Sequence, residues 1–192
     1  MPAGYRFLAD PDGVARDVLS KSTWAVLALT CDIELFTQAH YRASVDPDDT
    51  LSPLFKDVLL FHWKEESQHA ILDEIEWTRE NERLTPEARD AAVDDLIALG
   101  GAGDGIVCGP AAAGTHYFPE IPGRPPPRDG ANTCIDRATL EATRVGETTK
   151  AAYRWQFIGS GVQEPRFGKL LGDMITPAQG ARINAALAPI LA

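Results

Sequence analysis

The chain is poor in the features that mark several large protein classes. Its three cysteines, Cys31, Cys108 and Cys134, are odd in number and far apart, with no Cys-x-x-Cys pair. That argues against a disulfide framework and suits reduced thiols in a cytoplasmic protein. No apolar run approaches the roughly 20 residues needed to span a bilayer. Positive charge is scarce: 18 Lys and Arg stand against 28 Asp and Glu, a net charge of −10. Nucleic acid and anionic membranes, which require basic patches, are therefore poor partners. Period-two alternation, the mark of half-buried strands, is nearly absent, and so are internal repeats and low-complexity tracts. The first ten residues also lack the long apolar stretch of an export signal, which again points to the cytoplasm.

What is present is helical. At 192 residues and 44% hydrophobic, the chain is long enough to bury one core, and a single domain over 1–192 is expected. A first helix is expected from Asp12 to Arg42, kinked near Ser20 to Ser22, and a second from Leu51 to Arg83 with Pro53 in its first turn. The polar stretch 43–50, with Pro47 and several good N-cap residues, joins the two as antiparallel neighbours. Thr85-Pro86-Glu87 starts a third helix, which should fade by Val107 among Gly100, Gly101, Gly103 and Gly105. Residues 100–133 hold 8 of the 16 Gly and 6 of the 14 Pro, so an irregular loop or lid is expected there. The glycines lack the preceding strand and the following Lys-Ser/Thr of a phosphate-binding loop, so no nucleotide site is read. A fourth helix is expected from Asp136 to Ile158, stopped by Gly159 and Gly161, then two shorter ones, Glu164 to Met174 and Pro177 to Leu187, with Thr176 as a cap.

Chemistry concentrates in the second helix, in His62-Trp63-Lys64-Glu65-Glu66-Ser67-Gln68-His69. Glu66 and His69, three apart, project from neighbouring turns of one helix face and can grip one metal ion. At about 100° per residue, Phe55, Leu59, His62, Glu66, His69 and Asp73 share a sector about 80° wide, so metal-capable groups continue a stripe that starts as core. The competing reading is a solvated surface pair, since Glu-x-x-His is common in helices. Unpaired charge on a core stripe is costly, which favours a metal. The first helix, apolar nearly all round from Trp24 to Phe36, is interrupted by Asp32 and Glu34. Glu34 follows the line Trp24, Leu27, Cys31, Gln38, Tyr41, so its carboxyl must be protonated, paired or metal-bound. Pairing with Arg42 or Arg154 competes with a metal role. With ideal helices Glu34 lies about 13 Å from its helix end and Glu66 about 22 Å from the next helix start. Glu65 points about 100° away from Glu66, along the Leu54, Val58 and Phe61 side. Cys31, one turn from Glu34, reads as a core thiol, and Tyr41 and Trp63 as packing residues.

A Glu on the first long helix followed 32 residues later by Glu-x-x-His on the second resembles the first half of the ferritin-like, carboxylate-bridged diiron proteins. The resemblance covers roughly residues 20–83. It implies an all-α, ferritin-like four-helix bundle with a long Gly/Pro-rich connection and extra C-terminal helices. It also implies that Glu34 is a terminal ligand, that Glu66 bridges two irons and that His69 binds one, with His62 similar to the added histidine of some diiron oxygenases. The second half departs from that pattern. No second Glu-x-x-His exists, and the only other histidines are His40 and His116. Asp104 is the best ligand candidate on the third helix, and Glu141 and Glu147 compete on the fourth; each could equally be a solvated or capping carboxylate.

Carboxylate and imidazole ligands suit iron, with manganese next. The expected function is oxygen activation by a non-haem iron centre acting on a small-molecule substrate, with dioxygen as co-substrate and a homodimer compatible with the sequence. Three other readings stay open: an iron-handling protein without turnover; a mononuclear hydrolase using His62, Glu66 and His69 to activate water; and a structural helical protein with its acids paired to Arg.

Overall fold

A computed structural model describes residues 10–117, 151, 154 and 158–191, with side chains described to residue 105 in the first stretch. Every regular element among them is helical, and no described helix is long and apolar enough to cross a membrane.

Helix α1 spans Pro11–Leu19. Asp10 caps it by accepting from the Gly13 amide at 2.8 Å, and no residue of it is buried. The chain breaks at 20–22, where a kink was expected, and α2 runs Thr23–His40. Its first turn is held from outside: Asp95 accepts from the Ser22 amide at 2.8 Å and pairs with Lys21. Beyond His40 the backbone widens into a π-helical turn, Tyr41–Val45. Helix α3 then runs Pro53–Arg83, with Ser52 Oγ accepting from the Phe55 amide and Pro53 at the first position. It stops at Leu84, whose backbone is extended with ψ 138° and whose amide donates to the Asn81 carbonyl. Helix α4 spans Pro86–Tyr117, capped by Thr85. The short turn α5, Ser160–Val162, follows in the C-terminal part. Next come α6, Pro165–Met174, and α7, Pro177–Leu191. Thr176 and Gln179 form a reciprocal cap at the start of α7: the Thr176 amide donates to Gln179 Oε1 at 2.8 Å, and the Gln179 amide to Thr176 Oγ1 at 3.3 Å.

Two expectations change. Helix α4 continues ten residues past Val107, so 100–117 is helical rather than loop. Each helical glycine costs only about 1 kcal/mol, which lowers helix stability without forbidding it. Nothing lies within 4 Å of where a Cβ would sit at Gly100, Gly101, Gly103 or Gly105, so no close packing explains them. Residues 118–133, with Pro125-Pro126-Pro127, lie outside the described residues, as does most of the expected fourth helix. The stop expected at Gly159 and Gly161 is a short π-to-α turn instead, since both glycines are helical.

Helix α2 is the axis of the structure and packs on α3, α4, α5 and α6. Its buried Trp24, Ala25, Ala28, Cys31 and Leu35 meet Ala70 and Trp77 of α3, Ala92, Val93 and Leu99 of α4, Phe167 and Met174 of α6, and Ile183 of α7. Helices α2 and α3 run antiparallel in one register: Trp24 meets Trp77 edge-on at 5.2 Å, and Gln38 donates to the Trp63 carbonyl at 3.1 Å. Asn81 ties the far end, accepting from Trp24 Nε1 at 3.2 Å and from Arg89 Nε at 2.7 Å. The expected Phe55 end of the α3 stripe is not core, because Phe55 is half exposed. The core of α3 is at Ala70 and Trp77, on its C-terminal half.

Candidate metal centre

The α2–α3 register brings Glu34 beside Glu66. The mismatch in height expected from ideal helix ends shrinks to about 3 Å when measured from Val45 and Pro53, where the helices meet their connection. The π-helical turn lengthens one arm, and the later start at Pro53 shortens the other. Neighbouring contacts lock the pairing. Gln38 Oε1 accepts from Ser67 Oγ at 2.7 Å, the Tyr41 ring stacks on Trp63 at 5.4 Å, and the Arg42 guanidinium lies 5.4 Å over the same indole. Tyr41 and Trp63 are thus packing residues that clamp the helices next to the acids.

Ligand atoms of Glu34, Glu66 and His69 all lie within 4.8 Å of one another. Those of His62, Glu65 and Glu66 form a second such group, so Glu66 belongs to both. His69 Nδ1 lies 2.8 Å from Glu66 Oε2 and 3.8 Å from Glu34 Oε1, while its Nε2 is 3.2 Å from Glu65 Oε1. His62 Nε2 is 3.3 Å from Glu66 Oε1. Glu34 and Glu66 are shielded, with side chains 18% and 16% exposed, whereas His69 and His62 are about half exposed at 48% and 50%. The centre therefore sits at the seam between core and surface, acids inward and imidazoles outward.

Its charges are mutually adjusted. Burial, then the hydrogen bond with Glu66, pushes the Glu34 carboxyl up to about 7. The same hydrogen bond holds Glu66 below its ordinary range, helped by His69 and His62. Glu66 in turn raises His69, with Glu65 and Glu34 adding to the effect. Glu34 thus takes up a proton, donated to Glu66, as pH falls through about 7, and His69 is biased toward its cationic form. A divalent cation among these three groups would replace those protons, which is the usual competition at a carboxylate–imidazole site.

Other expected residues fall elsewhere. Asp104 stands apart from both groups, accepting a fork of hydrogen bonds from Arg154 Nε and an Arg154 terminal nitrogen at 2.6 and 2.8 Å. Glu141 and Glu147 lie outside the described residues, as does the side chain of His116. The Arg pairing weighed for Glu34 is not what surrounds it: the charged groups acting on it are Glu66, His69 and Asp73. Cys31 is a core thiol, pushed up to about 12 chiefly by burial.

Two carboxylates carry more than the sequence suggested. Glu65, expected to point away, reaches both histidines, at 3.2 Å from His69 Nε2 and 3.9 Å from His62 Nδ1. Its i,i+4 spacing to His69 was the available signal. Asp32 is 8% exposed, its Oδ1 has no hydrogen-bond partner, and burial raises it to about 7. Its carboxyl fills the space a side chain at Gly161 would need, with Oδ1 2.5 Å from the ideal Cβ position. No family model, curated protein or solved structure matches the chain significantly.

Proposed function

We propose that this chain is a ferritin-like bundle holding one or two first-row metal ions, iron first and manganese second, and that it activates dioxygen to oxidise a small molecule. The observation that supports it is that Glu66 belongs at once to the Glu34–Glu66–His69 group and to the His62–Glu65–Glu66 group. A carboxylate common to two ligand sets is the position a bridging ligand requires. Hard oxygen donors with imidazole fit iron or manganese better than a soft metal. Bound there, iron would supply the one-electron chemistry that dioxygen requires and that side chains lack.

The chain's own residues do the positioning. Glu34 and Glu66 present oxygens from opposite helices, and His69 turns Nδ1 toward them. Glu65 sets its carboxylate 3.2 Å from His69 Nε2, the supporting position behind a metal-binding imidazole. His62 serves the other side of Glu66 as a further ligand or supporting group. In this arrangement His62 and Glu65 occupy the role that a second Glu-x-x-His plays in the family. Asp104, held by Arg154, ties α4 to the helical residue 154.

The half exposure of both histidines favours a second reading, metal handling without turnover, because controlled oxygen chemistry requires water to be kept out. Anaerobic loading with ferrous ion followed by elemental analysis should give one or two ions per chain, lost in Glu66→Ala and His69→Ala. Protein that retains no metal after loading refutes both readings. Oxygen uptake beyond the stoichiometry of the bound iron, in the presence of a reductant, supports turnover over handling.

A further inference from the structure

The outward face of α3 is apolar where a lone surface helix would be polar. Seven of the eleven exposed large hydrophobic residues among those described lie on this one helix: Leu54, Phe55, Val58, Phe61, Ile71, Leu72 and Ile75. Leu54, Val58, Phe61, Glu65, Gln68, Leu72 and Ile75 follow alternating steps of four and three. At about 100° per residue they fill a sector about 100° wide, opposite buried Ala70 and Trp77. That is a coiled-coil seam with no partner among the described residues, apolar at both ends and polar only at Glu65 and Gln68.

The seam is also its own complement. Turned about a two-fold axis at Glu65, Leu54 falls opposite Ile75 of a second copy, Val58 opposite Leu72, Phe61 opposite Gln68 and Glu65 opposite Glu65, whereas a parallel pairing adds a second polar layer, Gln68 on Gln68. An isologous contact requires this kind of self-matching patch. Lys64, beside the axis, comes alongside Glu65 of the second copy and offsets the two carboxylates that meet there. Taking about 140 Å² for a fully exposed side chain, just under the aromatic range, the seven residues offer on the order of 550 Å² per copy at their exposures. A pair would bury on the order of 1,100 Å², at the roughly 1,000 Å² that specific interfaces clear.

We propose that two copies of this chain associate through an antiparallel, two-fold pairing of their α3 helices along the Leu54–Ile75 seam. The dimer sets His62 of each copy near His69 of the other, so the two carboxylate–imidazole groups flank the axis. The pairing depends on apolar burial and holds whether or not metal binds.

Sedimentation of the metal-free full chain tests it directly. The expected mass is twice the 20.8 kDa of one chain. The double variant Val58→Glu with Leu72→Glu should sediment at the single-chain mass with an unchanged helical circular dichroism spectrum. Val58→Cys and Leu72→Cys chains should cross-link when mixed and not with themselves, since each faces the other's position. Self-cross-linking of either single variant would overturn the antiparallel register. A monomeric full chain overturns the proposal outright: a seam protected from carbene labelling would then belong to residues 118–150 of the same chain, and an unprotected one to no occupant.

Discussion

Ten residues before Glu34 and eleven after Glu66 the same two helices meet again, at Trp24 and Trp77, and there neither of the facing side chains is charged. Both indoles are fully buried, Trp77 stacks on Phe167 at 5.6 Å, Trp77 Nε1 has no hydrogen-bond partner, and Asn81 closes this end by accepting from Trp24 Nε1 and Arg89 Nε. At the other end the shielded groups are Glu34 and Glu66, which take up a shared proton as pH falls through about 7, beside two half-exposed histidines. The dry end gains stability from aromatic area and packing, neither of which depends on pH or metal. The wet end gathers like charges that repel unless a proton or cation lies among them.

The largest effect should come from breaking the dry end. Trp77→Ala should lower the unfolding free energy by about 3–5 kcal/mol, read from urea denaturation. Glu66→Ala, at the same register on the wet end, should change the stability of the metal-free protein by less than about 1 kcal/mol. Equal losses at the two ends would erase the contrast.

Asp32 tests whether buried charge opposes folding on the same helix. Its folded value of about 7 lies above the 3.8 of an ordinary Asp, so the folded state binds that proton more tightly than the unfolded chain. The corresponding stability is present in full below about pH 4 and is lost as pH rises through about 7. Asp32→Asn should flatten this fall and stabilise the protein at pH 8 by roughly 2–4 kcal/mol relative to the unmodified chain. A denaturation midpoint at pH 8 that the substitution leaves unchanged or lowers would show that the carboxyl is compensated.

Gly161→Ala comes next. Its new methyl would press into the Asp32 carboxyl and should cost about 1–3 kcal/mol, with much of the loss recovered in an Asp32→Ala background. A double-mutant cycle with no coupling would mean that α5 shifts freely away from α2.

The smallest effect sharpens the wet end. Glu65→Ala should weaken metal binding about tenfold, measured by competition with a chelator, because it removes the carboxylate beside His69 Nε2. Unaltered affinity would place Glu65 outside the centre, where its angle on the helix suggested.

The three-residue spacing of Glu66 and His69 is a property of one helix, and the structure gives it directly as a 2.8 Å contact. One helix start was legible for the same local reason, since Thr85-Pro86 caps where it stands, whereas α3 starts at Pro53, two residues later than expected. The continuation of α4 through Gly100–Gly105 was not, because glycine and proline weigh on helix stability by amounts that neighbouring turns can offset. Glu65 was misplaced because a helical angle locates a Cβ, whereas a flexible carboxylate reaches across a full turn to His69.

By itself the sequence determined the helical class, the α2–α3 hairpin and the acid–imidazole pairing within α3, since each follows from interactions a few residues apart. Only the tertiary structure decided that Glu34 meets Glu66, that Asp104 goes to Arg154 and that Asp32 is shut against Gly161. Those contacts depend on helix stagger, and stagger here follows from a π-helical turn at Tyr41–Val45 and from the packing of Trp24 on Trp77. A shift of one residue in either would carry a carboxylate about 1.5 Å along its helix and about 100° around it, a change that no local pattern records.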